Sequence, residues 1–292
     1  MSIQSPLKQL IITSDDFGLS SGVNRAVERA WCEGLLTCAS IMPGGGAFKD
    51  AVKIARRNPG LQVGLHLTLV QGRAVLPVDR IPALVDGAGC FTNNPVAAGM
   101  RYFFDRGLYC QLKREIEAQI TTVLEAGIPL THLDGHLNIH LHPTVFSILA
   151  ELMPHYGIKS FRLSRERLGH NLRFDRERRF GKTVERIIFG SLAKNAQPRL
   201  DELKIAYATE VKGVLNSGRM TEEYILNIIE DLQDGLTEIY FHPGILPDAE
   251  ITRRMPDYRH QEELAAITSP ALKNKLKQLQ IAVQNYRGDL KC

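Results

Sequence analysis

Apolar residues along this chain follow two alternating patterns: short runs rich in β-branched side chains, and longer stretches in which they recur every three or four positions. The first pattern predicts buried strands and the second amphipathic helices. Leu10, Ile11, Ile12 and Thr13 form the first run. A helix is expected next over 20–33, with Val23, Ala26, Val27, Ala30 and Trp31 on one face. Ser20 and Ser21 suit its start, because a hydroxyl accepts from the free amides of a first turn, and Gly34 suits its end. Residues 61–65 lead as a strand into His66 and Leu67. Helices are expected over 111–126 and 144–156, each followed by a glycine, Gly127 and Gly157. Residues 159–163 and 237–241 read as further strands, and 221–232 and 270–285 as mainly helical.

Strands alternating with helices of 10–15 residues imply parallel βα units, so the fold class is α/β. Repeated over 292 residues, they give either a (β/α) barrel or a large doubly wound sheet. Residues 71–107 break the rhythm with scattered Gly, Pro and Asn, and read as a long excursion within one domain spanning 1–292. No apolar run approaches the roughly 18–20 residues that span a bilayer. The N-terminus runs directly into two aspartates without signal-peptide anatomy, and its first apolar stretch reads as the first core strand, so a cytoplasmic location is expected. Five cysteines without a C-x-x-C pair are expected to be reduced thiols.

Charge is uneven. Between Arg162 and Arg186 nine Lys or Arg face four Asp or Glu, an excess of five positive charges in a chain whose net charge is +4. A solvated, ion-paired helix or loop is the plain explanation. The sharper one is a patch facing an anionic partner or membrane surface. Nucleic acid is excluded as a partner, because no fold signature or aromatic interleaving accompanies the patch.

Four βα junctions carry polar groups of metal-site type. The first run ends in Asp15-Asp16-Phe17-Gly18, and His66 interrupts an apolar run. Asp134 and His136 follow a short apolar lead, and His242 closes 237–241. In α/β barrels the C-terminal strand ends share one mouth, where sites are built. Each feature alone has a plainer account: a capping turn for the aspartates, a hydrogen-bonded core residue for His66, a turn for His242-Pro243-Gly244. The cluster of His132, His136, His140 and His142 within eleven residues, with Asp134 among them, points more firmly to a divalent metal. Two imidazoles and one carboxylate leave positions open for water and substrate. A neighbouring carboxylate off the metal can act as general base, and an imidazole on the opposite rim as acid or oxyanion partner.

The set Ser14-Asp-Asp-Phe-Gly18, Gly64-Leu-His-Leu67, Thr131-His-Leu-Asp-Gly-His136 and Phe241-His-Pro-Gly244 resembles the YdjC-like carbohydrate deacetylases, in order and spacing, from about residue 8 to about 265. The resemblance implies a distorted (β/α) barrel that removes acetyl groups from N-acetylated sugars with one divalent cation. It implies Asp16, His66 and His136 as metal ligands, Asp15 as general base and His242 as acid or oxyanion partner. It further implies Arg162 and Asn138 as substrate contacts, with Asp134 and His140 in support and His132 packed behind. Mg²⁺ is the metal implied, while the ligand types suit Zn²⁺ equally. Relatives carry a denser histidine run where Leu137 and Asn138 stand.

The continuation to His142-Pro143-Thr144-Val145-Phe146, with the basic segment, resembles the branch associated with hopanoid biosynthesis. That implies an N-acetylglucosaminyl hopanoid glycolipid as substrate and peripheral contact with anionic membrane at its inner face through 162–186. Soluble chito-oligosaccharides such as chitobiose are the rival substrate, and a non-catalytic sugar- or lipid-binding barrel the rival class. Related enzymes pair, so a homodimer is a further expectation.

Overall fold

The structure, a computed structural model, describes residues 8–291; residues 1–7 and Cys292 lie outside the described residues. Strand β1 (Lys8–Phe17) is the axis of a wholly parallel sheet. It pairs with β2 (Cys38–Ile41) on one side and β6 (Gly235–Phe241) on the other. Strands β3 (Gln62–Leu67) and β4 (Leu130–Gly135) extend the sheet past β2. Strand β5 (Glu210–Lys212) extends it past β6, and β7 (Ala282–Val283) joins the first residues of β1.

Bridging segments link the outer strands into a distorted barrel. Leu133 N–H donates to the Ser160 carbonyl and Arg162 N–H to the Leu133 carbonyl, both at 3.0 Å, while Phe161 N–H donates to Ala206 at 2.9 Å. The strand expected over 159–163 is thus only a pair of bridge residues, Ser160 and Phe161, each pairing with a different neighbour, Ser160 with Ala206 and Phe161 with Leu133.

Helices pack outside: α1 (Ser21–Glu33), α2 (Phe48–Arg57), α3 (Pro95–Phe104), α4 (Tyr109–Glu125), α5 (Pro143–His155), α6 (Leu168–Phe174), α7 (Arg179–Glu202), α8 (Glu222–Ile228), α9 (Ala249–Arg254), α10 (His260–Ile267) and α11 (Pro270–Gln278). Ser20 caps α1 by accepting from Val23 N–H, and Gly34 ends it. The helix expected over 270–285 stops at Gln278. Gln280 takes a left-handed turn, and Ala282 and Val283 pair with β1 instead.

The excursion after β3 is tied down by polar side chains of α4. The Glu115 carboxylate accepts from Val75 and Leu76 N–H, Gln119 bonds both main-chain groups of Thr68, and Ile81, Leu84 and Phe91 are buried beneath. No described helix is long and apolar enough to cross a membrane.

Candidate active site and metal centre

Side chains two apart on a strand share a face, and this parity assembles the site. On β4 and just beyond it, His132, Asp134 and His136 point to the same side. On β6 and just beyond it, Glu238, Tyr240 and His242 do so, and on β1 Thr13 and Asp15. Together with Ser40 and His66 they make a polar barrel interior. Gly64 lies in the same column, where a Cβ would sit 2.4 Å from the His132 ring; glycine is what lets that imidazole lie flat across β3.

At the C-terminal end of the strands, Asp16, His66 and His136 converge. One ligand-type atom from each lies within 4.8 Å of the others, and all three residues are buried. Asp16 Oδ1 accepts from His136 Nδ1 at 3.1 Å. It lies 3.3 Å from His66 Nε2, out of line for a hydrogen bond. Asp16 Oδ2 and His66 Nε2 are buried without any partner, an expensive arrangement unless a ligand completes it. The backbone is strained at the same place. Asp16 has φ +62°, and Leu137 and Asn138, directly after His136, have φ +53° and +57°. Non-glycine residues hold this left-handed conformation only where their surroundings over-determine it.

The next layer orients these groups. His66 Nδ1 donates to Asp134 Oδ1 at 2.7 Å, and Asp134 Oδ2 accepts from Ser40 Oγ at 2.6 Å. This carboxylate–imidazole pairing fixes which ring nitrogen faces the cluster. Asp15 lies beside Asp16 and is gripped at both oxygens by Arg162: Nη1 to Oδ2 at 2.6 Å and Nη2 to Oδ1 at 2.8 Å. Arg162 also contacts Asp134 at 2.8 Å and Glu238 at 2.9 Å, and lies over the Tyr240 ring at 4.4 Å.

Arg162 is therefore not a substrate contact. It is 1% exposed, and its guanidinium is consumed by three carboxylates, so the residue expected at the mouth sits behind the expected base. Asn138 is half-buried near the rim, where its Oδ1 accepts from Ser164 Oγ at 2.6 Å. His140 donates from Nε2 to the Arg162 carbonyl at 2.8 Å, joining the turn after β4 to the segment that closes the barrel. His132 stacks on Tyr286 with centroids 4.5 Å apart, and its Nε2 is 3.1 Å from Ser40 Oγ. His142 turns away to the Gly99 carbonyl on α3.

His242 stands across from the cluster, edge-on to Tyr258 and Tyr240. Its main-chain N–H donates to Glu263, and its carbonyl accepts from His260 Nδ1 at 2.7 Å, leaving the ring Nδ1 without a partner. Burial pushes its imidazole down to about 4, against the pull of Asp16 and Asp15 toward protonation. The ring is thus neutral at pH 7. Because the folded value lies below the unfolded one near 6.5, its contribution opposes folding as pH falls below about 6.5 toward 4. In the metal-free protein its ring resonances are expected to show no titration between about pH 8 and 5; a midpoint near 6.5 by NMR would refute this.

Electrostatics ask for a cation. Asp15, Asp16, Asp134 and Glu238 are four buried carboxylates, and Arg162 is the one cation among them that carries a permanent charge. Burial works against charge on Asp16 and Asp134, but His136 and His66 hold the first, and Arg162 and His66 the second, well below the usual carboxylate range. Burial likewise works against charge on His66, yet Asp134 and Asp15 push it up to about 10. The cluster thus retains a proton where a divalent ion would supply the charge. The donor set and its orphaned atoms fit such an ion.

Several of these residues carried no separate signal in the sequence. Glu238 and Tyr240 could have been found from their parity with His242. Ser40 could not, in a four-residue apolar strand, and neither could Tyr286, whose hydroxyl donates to Glu238 at 2.6 Å from near the C-terminus.

The family model described as YdjC-like protein matches residues 9–278. Two curated relatives named carbohydrate deacetylase are similar over nearly their whole length. The one from Brevibacillus brevis is 28% identical, covering 95% of this chain and 98% of its own. The one from Thermoanaerobacter pseudethanolicus is 26% identical, covering 96% and 98%. Among solved structures, an Enterococcus faecalis V583 protein, provisionally titled a cellobiose-phosphate cleavage protein, superposes with a TM-score of 0.75 at 24% identity, covering 96% of this chain and 98% of its own. That likeness speaks for the fold alone.

Proposed function

This chain belongs to the YdjC-like protein family and is a carbohydrate deacetylase, and from that premise we propose that it hydrolyses the N-acetyl group of an amino sugar with one divalent metal held by Asp16, His66 and His136. The observation that carries the proposal is the buried triad with its orphaned Asp16 Oδ2 and His66 Nε2, set directly beside an arginine-held carboxylate. A bound divalent ion supplies polarisation of the amide carbonyl and a lowered pKa for water.

The chain's own groups do the rest. Asp15 takes the proton of the attacking water. Arg162 occupies one lone pair on each Asp15 oxygen, which leaves a second available and fixes the carboxylate plane. As the C–N bond breaks, the departing nitrogen needs a proton. His242, neutral at rest, is placed to pass one on within the cycle or to donate its N–H to the developing oxyanion. A cavity of about 310 Å³ lined by Leu19, Met42, Thr68, Arg73, Glu250 and Arg254 opens just past the ends of β1–β3, next to the strand ends that carry Asp16 and His66 but not lined by them.

For the substrate, we propose an N-acetylglucosaminyl hopanoid or a closely similar glycolipid, met at the cytoplasmic membrane face. The exposed apolar side chains of α3 and Leu137 around the mouth favour this over a soluble chito-oligosaccharide. The test is acetate release from the glycolipid, chitobiose and free N-acetylglucosamine, with and without Mg²⁺ or Zn²⁺. Metal-dependent release from the glycolipid alone is expected. Release from chitobiose instead would keep the chemistry and change the substrate, and no release from any of them would leave a binding barrel.

Metal uptake has its own signature. Because the metal displaces the proton on His66, binding near pH 8 is expected to release about one proton, read as a dependence of calorimetric heat on buffer ionisation enthalpy. Asp16→Ala should abolish binding of either ion. Undiminished affinity in that variant would place the metal elsewhere, with Asp15, His66 and Asp134 the alternative grouping.

A further inference from the structure

Helix α7 carries an exposed apolar stripe with nothing packed on it. Phe180 is 85% exposed and Ile187 59%, with Val184 and Ile188 also exposed. Their spacing, i, i+4, i+7 and i+8, puts all four on one side of the helix. The same helix buries Ala193, Ala196 and Leu200 on its inner side, so the stripe is in addition to its core face. Phe103 and Phe104 of α3 are exposed as well, and Leu137 is exposed beside the ligand His136. Scattered exposed apolar residues are ordinary; a stripe of four on one helix, with more at the same mouth, marks a surface that meets an apolar phase.

The charges identify which phase. Most cations of the segment are already engaged: Arg162 in the barrel, Arg167 with Glu210, Arg173 with Asp231, Arg178 with Glu185 and Lys182 with Asp175. Arg176, Arg179 and Arg186 are exposed and make no ion pair among the described residues. Arg179 and Arg186, seven apart, share one side of α7, each directly preceding a stripe residue and standing about 100° round the helix from it, within reach of a long side chain that bends toward the surface. A helix that presents Phe and Ile along one line with unpaired arginines beside it suits the boundary between acyl chains and anionic headgroups. A second copy of the chain is a poorer occupant. A two-fold contact through α7 would set the same arginines against each other without a counter-charge.

We infer that the α7 stripe, with the apolar edge of α3, is a docking surface for an anionic lipid bilayer, which it meets with the mouth of the barrel turned toward the membrane. The N-terminal part of α7 lies on the mouth side: Lys182 Nζ donates to Asn216 Oδ1 at 3.0 Å, the adjoining Ser217 Oγ lies 2.9 Å from the Tyr258 hydroxyl, and the Tyr258 ring meets His242. That this orientation serves catalysis rests on the deacetylase reading; vesicle binding itself does not.

Co-sedimentation of the full chain with phosphatidylcholine vesicles, and with vesicles containing phosphatidylglycerol, tests the inference. Binding to the anionic vesicles only is expected. Arg179→Gln with Arg186→Gln should weaken partition by roughly thirtyfold, about fivefold per arginine near the surface. Phe180→Ser with Ile187→Ser should abolish it. None of these exposed changes should alter calorimetric metal binding or the melting temperature. Equal binding to both vesicle types, or none to either, overturns the inference. So does a dimer in solution that Ile187→Ser dissociates, because the stripe then belongs to a second copy. Vesicle binding by a chain that releases no acetate from any substrate would keep the docking surface and discard the deacetylase reading.

Discussion

Asp15→Asn is expected to lower kcat for acetate release by roughly 10²–10⁴-fold, the usual worth of a positioned general base, with KM and metal affinity little changed. The carboxamide keeps the shape of the side chain, so geometry is preserved while the proton acceptor is lost. The fold should tolerate the change, because Arg162 retains Asp134 and Glu238 as counter-charges. This separates Asp15 from its neighbour: Asp16→Ala should remove the metal, whereas Asp15→Asn should leave an inactive enzyme that still binds it. Steady-state kinetics together with metal calorimetry on the one variant distinguish the two roles. Activity within tenfold of wild type would move the base elsewhere, and a parallel loss of metal would make Asp15 a ligand.

Much of this candidate site was legible because its proposed ligands stand at strand ends, where an apolar run makes a polar residue conspicuous. Thr131-His-Leu-Asp-Gly-His136 shows His132, Asp134 and His136 at a period of two, so a strand there must turn all three to one side. What could not be read is which partners meet across the barrel. The Ser40 hydroxyl reaches Asp134 across ninety-four positions, and Arg162 reaches Asp15 across one hundred and forty-seven. Arg162 is the instructive case. The family resemblance implies it as a substrate contact, and a charged side chain is normally found where water can reach it. Only the closed geometry shows three carboxylates holding it inside.

Elements followed the same rule. α4 and α5, long and amphipathic, lie within two residues of their expected bounds. β2 is four buried residues with no alternation to detect. The end of the chain shows periodicity misleading in the other direction. The apolar spacing that reads as helix over 270–285 continues past Gln278 because Ile281 and Val283 are buried against the barrel from an extended segment, beyond a left-handed Gln280. The basic stretch divides into a buried arginine, four ion-paired residues, Arg165 held by neutral oxygens of Thr209 and Gln197, and three exposed arginines without an ion pair; composition alone weighs all of them equally.

Arg162→Met is expected to destabilise the metal-free protein by about 3–5 kcal/mol, the range for removing one partner of a buried ionic cluster. Methionine restores most of the volume but leaves Asp15, Asp134 and Glu238 facing one another without their common cation. The sign with pH follows from the wild type. Burial opposes charge on Asp134, but Arg162 first and then His66 hold it well below the usual carboxylate range. Its contribution to stability is therefore present above about pH 4 and lost only as pH falls through the folded value. Burial already raises the Glu238 carboxyl in the wild type, with Arg162 the chief offset; without the arginine, burial and mutual repulsion disfavour charge on Glu238 and Asp134, so stability is lost as pH rises. The gap between wild type and variant should then be widest near pH 8 and narrow toward pH 5, read from urea unfolding at each pH. Glu238→Gln in the same background should recover part of the loss, because it removes one of the stranded charges. A gap that stays constant with pH, or a second change that recovers nothing, would mean that Arg162 stabilises the barrel by packing alone. The ionic cage behind Asp15 would then not be what holds the base in place.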